Sequence, residues 1–292
     1  MSKPTTVPYG FLGNGITQGA KVALLSVPYD STTSYRAGSR HGPAAIIEAS
    51  RNMETFDETL GVDLGNFPVL TLEPLEPVMT GPEAMIETVE AAVKEQLEDG
   101  KFVITLGGEH SITAGCARAY KNHFNDITFL HLDAHADLRD EYEGTPYSHA
   151  CAGMRLHDLG HISEVGIRSL SYEESLFIKQ KNINIVWARE IIASKDKEWM
   201  EKAISSLGNN VYVTIDLDVF DPAIMPATGT PEPGGLLYHH VTDLLEFLVK
   251  SRNVIGFDIM ELAPIGGLVA PDFLAARLIL RFIGLLHKSG KF

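Results

Sequence analysis

Cysteine is nearly missing from this sequence: Cys116 and Cys151 are the only two in 292 residues, and neither lies in a CxxC pattern. That excludes a disulfide scaffold and a Cys-rich metal site, and it suits a reducing compartment. Long apolar runs are missing as well. No stretch approaches the ~20 apolar residues that a membrane span requires, and the opening MSKPTTVPYGFLGNG has no apolar segment of signal-peptide length. Runs of Lys or Arg are also absent, and 24 basic residues stand against 38 acidic ones for a net charge of -14. Such a balance makes nucleic acid and anionic membranes poor partners and suits a cationic ligand. The expectation is a cytoplasmic protein that binds neither nucleic acid nor membrane.

What is present is a regular alternation of short apolar strands and amphipathic helices. Strands are predicted at 22–27, 102–106, 127–132, 162–167, 184–187, 211–217 and 254–260. Between them the helical pattern falls at Pro43 onward, 82–98, 111–123, from Tyr172, 196–207, 238–249 and 271–287. Residues 1–20 are expected to wrap the surface, 55–80 to be irregular around a short edge strand, and 138–158 to form a long connection. No linker, repeat or low-complexity tract interrupts the chain, so residues 1–292 read as one domain. Alternating strands and helices of this kind imply a mostly parallel sheet with helices on both faces, a three-layer α/β/α architecture.

Three of these strands end in polar residues. ITFLHLDAHAD at 127–137 delivers Asp133, His135 and Asp137 at alternate positions, hence on a common side of the strand end. By itself this is equally a strand emerging into water. The run VYVTIDLDVFDP at 211–222 repeats the pattern with Asp216 and Asp218, and FVITLGGEHS at 102–111 runs through Gly107 and Gly108 to His110. The glycines permit a tight turn and close backbone approach, tucking His110 against a neighbouring strand end. In parallel sheets the carboxyl edge is where ligands bind. Carboxylates crowded there need a positive partner, because an unpaired buried carboxylate is expensive to desolvate, and a divalent metal supplies it.

GGEHS at 107–111, DAHAD at 133–137, YSHA at 147–150, DLDVFDP at 216–222 and GTPEPGG at 229–235 together resemble, in order and approximate spacing, the signature of the ureohydrolase family of arginase and agmatinase. The resemblance implies an arginase-like fold and a binuclear manganese hydrolase that cuts a guanidinium group to release urea. Carried over by motif, His110, Asp133, Asp137 and Asp216 would hold one Mn²⁺, and His135, Asp133, Asp216 and Asp218 the other, with Asp133 and Asp216 as bridges. Four carboxylates balance two divalent ions, and an attacking hydroxide would leave one negative charge for a cationic guanidinium. Oxygen-rich ligation without thiolate suits Mn²⁺ better than Zn²⁺. His149 in YSHA would handle the proton of the leaving amine, and Glu261 at the end of VIGFDIM would grip the guanidinium. The family also implies a homo-oligomer, a trimer or hexamer.

For the substrate, Asp140, Glu141 and Glu143 crowd the segment after DAHAD with only Arg139 opposed. Acids there would repel a carboxylate and tolerate an amine. The segment also resembles agmatinases more than arginases, so agmatine, hydrolysed to putrescine and urea as in polyamine biosynthesis, is expected first, with 4-guanidinobutanoate or another guanidino acid such as arginine the live alternative. A metal-dependent deacetylase of acetylated amines would not need both bridging aspartates, and a non-enzymatic descendant would be expected to lose His149 or Glu261. Asp258 is read as non-catalytic, Asp221 as a loop brace, Arg36, Gly38 and Arg40 as holding their loop, and Cys151 as packing. Glu232 is ambiguous between the two roles, and Ala227 departs from the Gly expected in the family.

Overall fold

The computed structural model describes residues 10–13 and 18–292, so most of the expected N-terminal wrap lies outside the described residues. Along the chain, β1 (Val22–Val27) leads to α1 (Gly42–Ser50), the two-residue pair β2 (Phe56–Asp57) and β3 (Val62–Asp63), and β4 (Val69–Thr71). Next come α2 (Pro82–Glu98), β5 (Phe102–Gly107), α3 (Thr113–His123), β6 (Thr128–Leu132), α4 (Ala152–Leu159) and β7 (His161–Ile167). After α5 (Tyr172–Lys181) the chain forms β8 (Asn184–Trp187), α6 (Ala188–Ala193), α7 (Glu198–Ile204) and β9 (Asn210–Asp216). It closes with α8 (Tyr238–Ser251), β10 (Asn253–Met260) and α9 (Ala270–Lys288).

Eight strands form one sheet in the order β4-β1-β5-β10-β9-β6-β7-β8, and its strand pairings are parallel. The apolar runs explain why: inner strands such as VALLSV and FVITLG are buried at every position, as strands covered on both faces must be. Alternate residues supply two separate cores. Val22 and Leu24 pack with Ile46 of α1, Leu244 of α8 and Ile279 of α9, whereas Ala23 and Leu25 pack with Met85 of α2 and Cys116 of α3. The three-layer α/β/α architecture predicted above is therefore the one observed. Among the described residues no helix is long and apolar enough to cross a membrane.

Local signals account for several helix ends. Pro82 opens α2 after Gly81. Ser171 and Glu174 cap α5 reciprocally: Glu174 N–H donates to Ser171 Oγ at 3.2 Å, and Ser171 N–H donates to Glu174 Oε2 at 2.6 Å. The pattern misjudged three places. The expected helix from Ser111 begins at Thr113, after a 3-10 turn over His110–Ile112. The 138–158 connection contains α4, whose first turn carries Gly153; a Cβ there would stand 2.4 Å from the carbonyl of Ala136. A poor helix former is required by that close approach, and it masks the helix in the sequence. Finally, the helix expected over 196–207 is only Glu198–Ile204, with the six-residue α6 before it.

The strand order fixes where chemistry can sit. From β6 the chain runs outward through β7 and β8, then returns to insert β9 and β10 between β6 and β5. The carboxyl ends of β5, β10, β9 and β6 thus lie side by side at the point where the winding reverses, the usual crevice of such sheets. Gly107 and Gly108 finish β5 there, and a Cβ on Gly108 would meet the Tyr29 carbonyl oxygen at 1.8 Å. Gly108→Ala should therefore displace the β1–β5 junction and cost about 3 kcal/mol or more, beyond ordinary overpacking. Thermal unfolding checks it: a fall of roughly 5 °C or more is expected for a chain of this size, and an unchanged melting temperature would refute the close approach.

Candidate functional site

The four strand ends carry the polar residues singled out in the sequence. His110 follows β5, Asp133, His135 and Asp137 follow β6, Asp216 ends β9 and Asp218 follows it, and Glu261 follows β10. The His110 Nδ1 atom lies 3.1 Å from Asp133 Oδ2, 3.2 Å from Asp216 Oδ2 and 3.7 Å from Asp137 Oδ2. Beside this group, His135 Nδ1 lies 2.9 Å from Asp218 Oδ2 and 3.6 Å from Asp133 Oδ1. Asp133 belongs to both groups, as a bridging residue would. All six expected metal ligands are brought together.

The donor set suits a metal. Thr214 Oγ1 donates its single hydrogen to Asp258 Oδ1 at 2.5 Å, and Tyr212 and Thr113 also donate to that buried carboxylate. Thr214 Oγ1 must then accept from His110 Nε2 at 2.8 Å, which leaves the Nδ1 lone pair facing three carboxylates. That Nδ1 is buried and makes no hydrogen bond. A lone pair and carboxylates converging in a buried space repel one another unless a cation lies among them. The charges tell the same story. Burial and the neighbouring Asp133 push Asp137 well above the ordinary carboxylate range, and burial with Asp218 and Asp133 does the same to Asp216. Burial opposes ionisation of Asp133 too, but the imidazoles of His110, His131 and His135 packed around it hold it well below that range.

Two of the residues are held in sparsely populated backbone conformations. Asp137 has φ of 50° and Glu261 has φ of 66°, and for non-glycine residues such strain persists where the surroundings over-determine it. Glu261 is buried, and its Oε1 accepts the His110 backbone N–H at 2.7 Å. Burial, with Asp216 and Glu109 close by, raises its pKa well above the usual value. A cavity of about 280 Å³ opens above these groups, with His110, Asp137, His149, Asp216, Asp218 and Glu261 in its wall. His149 stands beside it with Nε2 3.4 Å from Ser34 Oγ, and burial, against a hydrogen bond with Thr32 and with His135 and His110 nearby, lowers its pKa to about 4.

A family model described as the arginase family matches residues 20–284. The chain belongs to the arginase family. An N(1)-aminopropylagmatine ureohydrolase of Synechocystis is 40% identical, over 99% of this chain and 97% of that protein. An agmatinase of Pyrococcus horikoshii is 36% identical, over 91% and 92%. Among solved structures, the agmatine ureohydrolase of Thermoplasma volcanium superposes with a TM-score of 0.85 at 36% identity, covering 93% of this chain and 92% of that one. This arginase-family chain is accordingly a hydrolytic enzyme with the arginase-like fold, built on a His/Asp cluster able to hold metal.

One expectation fails. Asp140, Glu141 and Glu143 are exposed and absent from the cavity wall, and Asp140 pairs instead with Arg155 at 2.9 Å. From that segment it is Arg139 and Tyr142 that line the cavity, with the guanidinium 5.1 Å from the ring centroid. The acids therefore cannot argue for an amine substrate. Other residues behave as read: Asp221 accepts the N–H groups of Ala223, Gly234 and Gly235, each at 2.9 Å, and Gly38 and Arg40 donate to Asp30. Arg36, however, reaches the cavity. Glu232 Oε1 accepts from Ser169 Oγ, and Cys151 and Ala227 are packed in the interior.

The sequence reading missed two residues at this site. His131 is buried with Nε2 2.8 Å from Asp133 Oδ2, and its Nδ1 lies 3.7 Å from Glu164 Oε1 of β7. It clusters with His110, Asp133 and Asp137 as a further possible metal donor. Extending the alternate-residue series one step back into β6 would have found it. Arg168 gathers the carbonyls of Gly166, Asp218, Val219, Phe220 and Glu232, tying the DLDVFDP turn to the GTPEPGG loop. Nothing in its sequence context signals this.

The His110–Thr214–Asp258 chain yields a test. Thr214→Val keeps the side-chain shape but removes the acceptor for His110 Nε2, and it is expected to weaken divalent-metal binding about 10- to 100-fold, as loss of an orienting partner does. Competitive metal titration measures this, and wild-type affinity would show that the hydrogen bond does not orient His110.

Proposed function

We propose that this protein hydrolyses the guanidinium group of a linear amine-bearing guanidine, agmatine or its N1-aminopropyl derivative, to urea and the free polyamine. The observation that carries the reading is the convergence of Asp137, Asp216, Asp218 and Glu261 on one cavity with Asp133 beneath them, where among the described residues the ion-pair partners of the aspartates are imidazoles. His110, Asp133, Asp137 and Asp216 would hold one Mn²⁺, and His135, Asp133, Asp216 and Asp218 the other. Bound there, the two ions would supply a water activated for attack at neutral pH.

The rest of the chemistry belongs to side chains. Glu261 has one oxygen fixed by the His110 amide, so its carboxylate is already oriented when it meets the guanidinium, and planar pairing with two N–H groups follows. This electrostatic grip turns the guanidinium carbon toward the metal floor. His149, on the cavity wall and short of the floor, is placed to take at Nε2 a proton released by the attacking water and hand it to the departing amine nitrogen as the C–N bond breaks.

The names of the relatives support an amine-bearing substrate: agmatine from the Pyrococcus and Thermoplasma proteins, the aminopropyl derivative from the Synechocystis protein. A guanidino acid such as 4-guanidinobutanoate is the second reading, favoured by Arg36 and Arg139 in the cavity wall, either of which would pair a carboxylate. Arg139 is already opposed by Glu174 at 3.9 Å and stacked on Tyr142, which weighs toward the amine. Urea release by the Mn²⁺-loaded protein, offered each guanidine separately, decides. Turnover of agmatine or N1-aminopropylagmatine at least 10-fold above 4-guanidinobutanoate and arginine is expected. Preference for a carboxylate-bearing substrate would transfer the assignment to Arg36 and Arg139, and no urea from any of them would end the ureohydrolase reading.

A further inference from the structure

The loop between β1 and α1 contributes Thr33, Ser34, Tyr35 and Arg36 to the cavity wall, and its attachment to the site runs through one buried carboxylate. Glu109 follows the Gly107-Gly108 pair and precedes His110. Its side chain is fully buried and accepts from the loop twice: Thr32 N–H donates to Oε2 at 2.6 Å, and Thr32 Oγ1 donates to Oε1 at 2.8 Å. Ser111 Oγ donates to the same Oε1 at 2.6 Å. The backbone is tied in register with this, since Glu109 N–H donates to the Tyr29 carbonyl at 2.8 Å.

A hydroxyl has one hydrogen and two lone pairs. With its hydrogen on Glu109, Thr32 Oγ1 can only accept from other neighbours, and both of those are parts of His149. The His149 backbone N–H donates to Oγ1 at 2.9 Å, and ring Nδ1 lies 3.3 Å from it. Ser148 Oγ, whose hydrogen is free to rotate, lies 3.3 Å from the same Nδ1. Against an obligate acceptor the ring nitrogen must carry the hydrogen, which leaves the Nε2 lone pair on the cavity side near Ser34.

We propose that Glu109 and Thr32 are positioning residues for His149: the carboxylate fixes the polarity of the Thr32 hydroxyl, and the hydroxyl fixes the backbone, ring orientation and tautomer of His149. The inference rests on the role given to His149 above, while its geometry stands independently of which guanidine is cleaved. It also gives the loop a purpose beyond forming a wall, because any displacement of residues 28–34 moves the His149 ring with it. Neither side chain lines the cavity, so metal content is not expected to depend on them.

The test compares Thr32→Val, which keeps the shape without the hydroxyl, with Thr32→Ser, which keeps the hydroxyl, and with His149→Ala as reference. In ¹⁵N-histidine NMR of the full chain free of paramagnetic ion, wild type and Thr32→Ser should show the Nδ1-protonated tautomer, and Thr32→Val a mixture or the Nε2-protonated form. With Mn²⁺ and agmatine, Thr32→Val should lose about 10-fold or more in kcat at nearly constant KM and full metal content, a part of the 10²–10⁴-fold such groups contribute. Thr32→Ser should recover most of it. Glu109→Gln, whose amide can donate to Thr32 and reverse the hydroxyl, is expected to follow Thr32→Val. An unchanged tautomer in Thr32→Val, or Thr32→Ser as damaged as Thr32→Val, overturns the proposal. Full turnover by His149→Ala would instead refute the role of His149, while the tautomer measurement still decides whether Thr32 positions it.

Discussion

Everything in this site follows from an excess of buried negative charge. Asp133, Asp137, Asp216, Asp218 and Glu261 meet at one edge of a sheet whose interior is apolar, and their ion-pair partners are imidazoles. A protein interior cannot hold such a group by hydrogen bonds alone, since each uncompensated carboxylate costs several kcal/mol to desolvate. Protons or cations must enter. The hydrogen-bond polarity of Thr214 favours cations, because it presents the bare Nδ1 of His110 to the carboxylates.

The scaffold is arranged to keep that crowd in place. Parallel pairing puts four carboxyl ends at one level, and the reversal of winding between β5 and β6 leaves a crevice above them. Close-packed turns do the rest: Gly108 fits against Tyr29 where no side chain could, Arg168 ties two loops by their carbonyls, and Asp258 takes three hydroxyl donors beneath His110. The backbone strain at Asp137 and Glu261 is what such over-determination permits. Charge at the floor and rigidity beneath it are thus two aspects of one design.

Most of the architecture was legible because buried parallel strands and their helices have distinct periods. The six floor residues were legible for the same reason, since alternate residues at a strand end share a side and parallel strands end at one edge. Where that parity stops, the reading stopped. Beyond Asp137 the left-handed turn and the Tyr142–Thr145 bridge redirect the chain, so the side on which Asp140, Glu141 and Glu143 emerge could not be counted, and they emerge to solvent. His131 was overlooked because it lies inside the strand, where a polar residue is read as an interruption. Glu164, Glu109, Thr32 and Arg168 act through partners tens of residues away, and only the folded chain brings those together. The short α4 and α6 carry too few turns to leave a periodic signal.

The account depends most directly on the number of divalent ions the floor holds. Manganese measured by inductively coupled plasma mass spectrometry, on chain loaded with Mn²⁺ and freed of unbound metal by gel filtration, gives that number. Two ions per chain is the result predicted from four aspartates and two histidines shared around Asp133. A stoichiometry of one or none would contradict it, and would mean that the buried charge is met by protons and that the cavity was built for different chemistry.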